Sequence, residues 1–385
     1  MPGGVRSCTI VVLALLVGGC VAPTTKQQAI DPELAAREAE KQRDLVVQDY
    51  LANLSRIQNI GYQLLLAGKE LCGERLKPAA GFMLLSATDF EGDYYQTYRR
   101  LNRDSDRAHV SIVVENSPAA AAGLRVGDKV LAINGEALPA EKGAVEKAMT
   151  GLRDSEAHQT ITLTVERSGE GELDVEIVTT PVCDYDLQYR LDDMVNAFAD
   201  GDNVVIMSGM ARFAASDTHL AAVVGHEIAH NAMGHIDAMK ANAMAGAGVG
   251  LIFDILAAVA GVNTGGDFMR IGANTGAGAY SQEFEAEADY VGLYLMARAG
   301  MAIDDVPDFW RRMAVAHPAS IATNFGATHP STPERFLALE NAVAEIAAKL
   351  AAGEALLPEM TVAPSPRTDG TAPGGDSATR DTAIR

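Results

Sequence analysis

The chain has 385 residues, 48% hydrophobic and 21% charged, enough for two or three folded units with apolar cores. Its 51 acidic against 31 basic residues leave a formal charge of −20, which argues against nucleic acid as a partner because a phosphate backbone could not be neutralised. Four Cys are too few for a disulfide-built scaffold, and 5% aromatics with one tryptophan, Trp310, exclude an extended surface for stacking sugars or bases.

Residues 1–20 read as an export signal. Arg6 precedes an apolar run from Ile10 to Val17, too short to span a bilayer, and small residues lead to Cys20. Val17-Gly18-Gly19-Cys20 resembles a bacterial lipoprotein signal, in which the Cys becomes the acylated first residue of the mature chain. An ordinary signal cleaved elsewhere is the alternative. No Asp follows Cys20, so the resemblance implies an outer-membrane lipid anchor facing the periplasm, made stable by several acyl chains.

Residues 21–32 form a polar tether ending in Asp31-Pro32, a helix start. A long helix is expected from Glu33 to about Leu71, with Leu54, Ile57, Gly61, Leu64 and Leu65 on one face. Tether and helix together make up 21–77. Period-two alternation predicts strands at 109–114, 160–165 and 174–178, with a short helix through Val145, Met149 and Leu152. From Tyr185 the pattern is mostly helical. A tail over 358–385, rich in Pro, Thr, Gly, Ser and Asp, is expected to be disordered.

Within the strand-rich middle, Ser117-Pro118 starts a short helix that Gly123 ends, and Gly127-Asp128 turns into a strand at 130–133. Asn134-Gly135 is a tight hairpin signal. The run from Glu115 to Glu136 resembles a PDZ domain of the bacterial protease-associated type, extending over about 78–181. The resemblance implies capture of an extended peptide or chain terminus by strand addition; a spacer that positions or gates its neighbour is the other reading. Gly81-Phe82 is a weak candidate for a carboxylate loop, and the PDZ ligand stays unknown.

The chemistry sits in His226-Glu227-Ile228-Ala229-His230. At i and i+4, His226 and His230 project from one helix face and can meet one zinc ion. Glu227 is offset by one residue, so it reaches a water at the metal rather than the metal, as a general base must. Two buried structural histidines around a paired Glu would have the same spacing. A metzincin would need His at 236, which is Ile236, so a downstream glutamate is required. Tyr280 to Asp289 supplies several on a helix-forming stretch.

With these motifs in order, the segment 182–357 resembles the HtpX/BepA-like zinc metallopeptidases, the family that also holds the CAAX prenyl proteases. The resemblance implies one Zn2+ per chain on His226, His230 and Glu285. Asp289 would orient a ligand histidine, His226 for preference, while Glu283 and Glu287 point elsewhere and His235 is structural. Val204, Val205, Ile206, Met207 and Ser208 match the family's substrate edge strand, which would hold polypeptide in extended form. Thr328 to Arg335 matches its His-Pro…Arg element. His329 would either touch the metal at rest or, with Arg335, support the oxyanion. His109, His158, His219 and His317 attract only surface readings.

Ala243 to Val262 is apolar enough to suggest a membrane span, but Asp254 lies at its centre. A single crossing would also put Glu285 and the two His on opposite sides of a bilayer. A helix or Gly-rich hairpin packed over the site, as a lid or membrane-facing surface, is expected instead. Cys72 and Cys183 flank the PDZ-like segment, which must leave and return at nearby points, so they are expected to pair in an oxidising compartment.

The sequence therefore predicts an α+β protein: a mostly helical zinc endopeptidase domain with a small edge-strand sheet and an inserted β-rich PDZ-like domain. Its substrates would be polypeptides, unfolded envelope proteins among them. A non-proteolytic envelope chaperone or assembly factor is the alternative.

Overall fold

The computed structural model describes residues 25, 28–102, 106–139, 145, 159–259, 262, 264–267, 269–271, 281–316 and 332–360. Cys20 and the export signal, Met149, Leu152, His158, His317, His329 and the tail from 361 onward lie outside the described residues.

Helix α1 (Pro32–Ala67) starts where Asp31 accepts a hydrogen bond from the Glu33 amide, with Pro32 at the first helical position. Its second half buries Leu54, Ile57, Gly61, Leu64 and Leu65. Each fully buried Leu or Ile contributes about 1.5–3 kcal/mol, so this half anchors the helix while the charged half stays in water. The helix stops at Ala67, short of the expected Leu71, because Gly68 caps it; Cys72 lies in the turn beyond.

The chain then leaves through β1 (Leu76–Ala79) and returns through β8 (Thr180–Cys183), an antiparallel stem with Leu76 opposite Cys183 and Ala79 opposite Thr180. At its base Cys72 and Cys183 form a disulfide, their Cα atoms 5.7 Å apart.

Beyond the stem a six-stranded sheet forms from β2 (Phe82–Leu85), β3 (His109–Val113), β4 (Lys129–Ile133), β5 (Glu136–Ala137), β6 (Thr160–Arg167) and β7 (Gly171–Val178). Its order is β2-β3-β4-β6-β7, with β5 pairing β4. Alternation along β6 sends Ile161, Leu163 and Val165 into the sheet's own core. After β4, Asn134 and Gly135 take φ of 51° and 80°, the positive angles of a primed hairpin turn.

Helix α2 (Asp93–Leu101), between β2 and β3, is among the elements that escape sequence reading, and it buries Tyr98 beside Val47 of α1. Tyr98 also explains His109, expected at the surface but only 4% exposed: its ring stacks on Tyr98 and its Nε2 lies 3.0 Å from the Tyr98 hydroxyl. His219 is likewise partly covered, stacked on Phe309.

The remaining chain packs with α1. In a three-stranded sheet, β11 (Asn203–Met207) lies between β10 (Ala197–Ala199), antiparallel, and β9 (Asp186–Arg190), parallel. This corrects the edge-strand expectation. Val204, Val205, Ile206 and Met207 occupy the central strand, paired on both sides and buried, as an uninterrupted apolar run requires. Ser208 starts α3, counting the long segments here as α3 (Ser208–Phe213), α4 (Asp217–Ala232), α5 (His235–Val259), α6 (Ser281–Arg298), α7 (Val306–Ala316) and α8 (Pro333–Ala352). The short turn Pro118–Ala121 is left unlabelled. The outer strands are β9 and β10, of which β10 lies against α4.

Helix α5 is, among the described residues, the one helix long and apolar enough to cross a membrane. It leaves Leu251, Ile252, Phe253, Ile255 and Leu256 exposed as an apolar face. Asp254 is turned inward, accepting from the Thr264 hydroxyl and from the Met269 amide at 2.8 Å, so the chain folds back beside the helix. The expected tail, from about Pro358, lies outside the described residues from 361 onward. The Glu359 amide donates to the Tyr290 hydroxyl at 3.1 Å, which holds the chain against α6.

Candidate metal centre

The site is built where α4 crosses α6. Ser216 caps α4 through the His219 amide, and the helix then buries every residue from Leu220 to Asn231. Gly225 and Gly292 meet at the crossing. A Cβ on Gly292 would stand 3.1 Å from the His226 amide nitrogen, and one on Gly225 would stand 3.2 Å from the Gly292 carbonyl oxygen. The two helices therefore touch backbone to backbone, which brings the carboxylates of α6 to the histidines of α4.

His226, His230 and Glu285 are all at most 4% exposed, and their ligand atoms lie within 4.8 Å of one another. The two Nε2 atoms are 3.0 Å apart; Glu285 Oε2 is 3.3 Å from that of His226, and Oε1 is 3.2 Å from that of His230. A tetrahedral cation with bonds of about 2.0–2.2 Å needs donors roughly 3.3 Å apart, so the three fit a divalent metal as they stand. Glu227, 2% exposed, is on the same helix one residue round from His226. Glu283 is exposed and outside the cluster.

Behind the donors is a layer of orienting groups. Asp289 Oδ1 lies 2.9 Å from His226 Nδ1, leaving Nε2 for the metal. Burial alone would lower the His226 imidazole, but Glu285 and Asp289 outweigh it and, with no cation present, push it up to about 10. Burial would raise Asp289, yet Arg335 and His226 hold it below the usual carboxylate range.

Arg335 is 5% exposed at the start of α8, where Thr332 caps the helix. It faces Asp289 through Nε and Nη2, and its Nη1 is 3.1 Å from Glu285 Oε2. The Arg335 guanidinium is thereby engaged by the two acidic residues of α6, and it lies 5.1 Å from the Trp310 ring. Sequence reading found Glu285 and Asp289 but missed what His235 touches. The His230-x4-His235 spacing, with Gly234 between them at φ 70°, was the available signal.

These helices define the class of an HExxH metallopeptidase. Residues 175–343 match peptidase family M48 and residues 109–167 match a PDZ domain. The chain thus contains a segment that resembles the M48 peptidase domain, and a PDZ-like segment precedes and partly adjoins it. It is 31% identical over 171 residues to the mitochondrial metalloendopeptidase OMA1 of Schizosaccharomyces pombe, covering 43% of this chain and 49% of that one. It is 31% identical over 154 residues to the beta-barrel assembly-enhancing protease of Escherichia coli, covering 38% of this chain and 31% of that one. The chain thus spans half or less of the length of these relatives.

Proposed function

We propose that this protein is a zinc metalloendopeptidase of the bacterial envelope, with zinc held by His226, His230 and Glu285. The observation that carries the reading is the convergence of those three buried donors, at tetrahedral spacing, beside the carboxylate of Glu227. When bound, zinc supplies a Lewis acid that makes water acidic near neutral pH and polarises a peptide carbonyl. Glu227 takes the proton of the attacking water and returns it to the leaving amine. Asp289 holds the His226 ring in its metal-binding tautomer, and Arg335 balances the charge of Asp289 and Glu285. His329 is proposed to gate the site or to support the oxyanion.

Substrate would be held in extended form along the outer edge of β10, since β11 has strands on both sides. The unit over 78–181 is proposed to present or admit polypeptide chains, and Cys20 to carry the lipid anchor that faces the enzyme to the periplasm. Quality control of envelope proteins is the role this combination fits.

The test is zinc content and casein cleavage for the wild type and Glu227→Gln. One zinc per chain in both, with cleavage by the wild type alone, is the expected result. Zinc in both with cleavage by neither would favour the alternative, a chaperone or assembly factor using the PDZ unit and sheet edge.

A further inference from the structure

His230, the second proposed ligand, is held differently from His226. Its Nδ1 lies 3.0 Å from Nδ1 of His235, whose Nε2 lies 3.0 Å from Glu287 Oε2. His235 is 1% exposed, and its ring is stacked on Phe284 at 4.6 Å and 20°, which fixes the ring plane. Gly234, in the left-handed region, turns the end of α4 so that the first residue of α5 folds back onto His230.

Proton accounting along this line has one self-consistent solution for a metal-bound His230. The Glu287 carboxylate only accepts, so Nε2 of His235 donates to it. A neutral His235 then carries its lone pair on Nδ1. That lone pair accepts the N–H of His230 Nδ1, which leaves the lone pair of His230 Nε2 facing His226 and Glu285. If the middle ring presented N–H to His230 instead, the His230 proton would move to Nε2 and block the metal.

We propose that His235 and Glu287 are positioning residues for the metal: a Glu287–His235–His230 line fixes the tautomer of His230, as Asp289 fixes that of His226. This inference rests on the zinc-site reading above. It gives Glu287 a task where the sequence suggested only that it points away from the metal. It also separates two acidic residues of one helix by function, because Glu283 touches neither ring.

The test is the zinc dissociation constant, measured by chelator competition on the full mature chain, beside a melting curve for each variant. His235→Asn keeps an oxygen acceptor near the Nδ1 position, whereas His235→Leu fills the space with no acceptor. His235→Leu is expected to weaken zinc binding about 10–100-fold, and His235→Asn to restore most of it. Glu287→Met, at a half-exposed position that tolerates substitution, is expected to weaken binding by a smaller factor and serves if His235→Leu does not fold. Equal losses for Leu and Asn, or none for Leu and Met, would overturn the proposal. A wild type that binds no zinc would overturn the site reading itself, and the two failures are thereby distinguished.

Discussion

Arg335 meets Asp289 as a fork: Nε lies 2.5 Å from Oδ2 and Nη2 lies 2.9 Å from Oδ1, with both residues at most 5% exposed. An arginine 46 positions along the chain thus completes the charge of a carboxylate that orients a metal ligand. Removing one partner of a buried pair typically costs about 3–5 kcal/mol, because the other is left charged and unpaired. Arg335→Met is expected to lower the melting temperature and weaken zinc binding together. A large fall in kcat with zinc affinity and melting unchanged would instead return Arg335 to oxyanion support.

Glu285→Ala is expected to lose zinc in dialysis against a mild chelator, because two histidines alone hold it poorly. Glu283→Ala, on the exposed side of the same helix, is expected to keep it. Metal content by mass spectrometry or atomic absorption decides between them, and loss in the Glu283 variant would mean that the third donor is assigned to the wrong turn.

Zinc uptake is expected to release protons. Glu285 and Asp289 push the His226 imidazole up to about 10, so a proton on that ring is expected to compete with the metal at neutral pH. The sign follows: affinity falls as pH falls. Calorimetry in two buffers of different ionisation enthalpy reads the released protons directly, and identical observed heats in the two buffers would contradict the expectation.

Gly292→Ala is expected to disturb the metal centre without touching a donor. Its Cβ would stand 3.1 Å from the His226 amide nitrogen and 3.2 Å from the Gly225 backbone, where neither partner is a flexible side chain. The helices must part by some tenths of an ångström, which misplaces Glu285 and Asp289 relative to His226. Weaker zinc binding in a folded variant is the expected result, and wild-type affinity would show that the crossing can adapt.

In the PDZ-like sheet, Asp128 is 2% exposed and accepts from Arg167 Nε at 2.8 Å, Arg167 Nη2 at 2.6 Å and the Arg125 amide at 2.9 Å. Burial would raise its carboxyl, but the arginine and the amide prevail and hold it below the usual carboxylate range. A carboxylate depressed by folding contributes stability above its unfolded pKa, about 3.9, and loses that contribution as pH falls through the lower folded value. Asp128→Asn should therefore destabilise the protein at pH 7 and flatten the acid limb of its stability curve. An acid limb of unchanged slope would exclude this pair as its source.

The two candidate histidine donors were legible from their i, i+4 spacing on one helix, while Glu285 and Asp289 came from the family resemblance, with which their one-turn separation agrees. The stem was legible for a similar reason, since an inserted segment must close on itself near Cys72 and Cys183. Features set by tertiary pairing were not. Nothing in Val204 to Met207 tells a central strand from an edge strand, because that depends on whether β9 returns parallel to it. His235 and Arg335 were visible as residue types, but their partners lie 52 and 46 positions away on α6, beyond any local period.

The disulfide at the base of the stem makes the chain a closed ring with two ends. The bridge spans a sequence separation of 111 residues, and the whole six-stranded sheet lies inside that ring. One cut anywhere between Cys72 and Cys183 leaves a nicked molecule whose halves travel together on a non-reducing gel and separate only with reductant. Helix α1 enters from one half and helices α4 and α6 from the other, so such a molecule keeps both sides of the helical core on one covalent tether. Damage to the inserted sheet therefore need not cost the protein its first helix as long as the bridge stays oxidised.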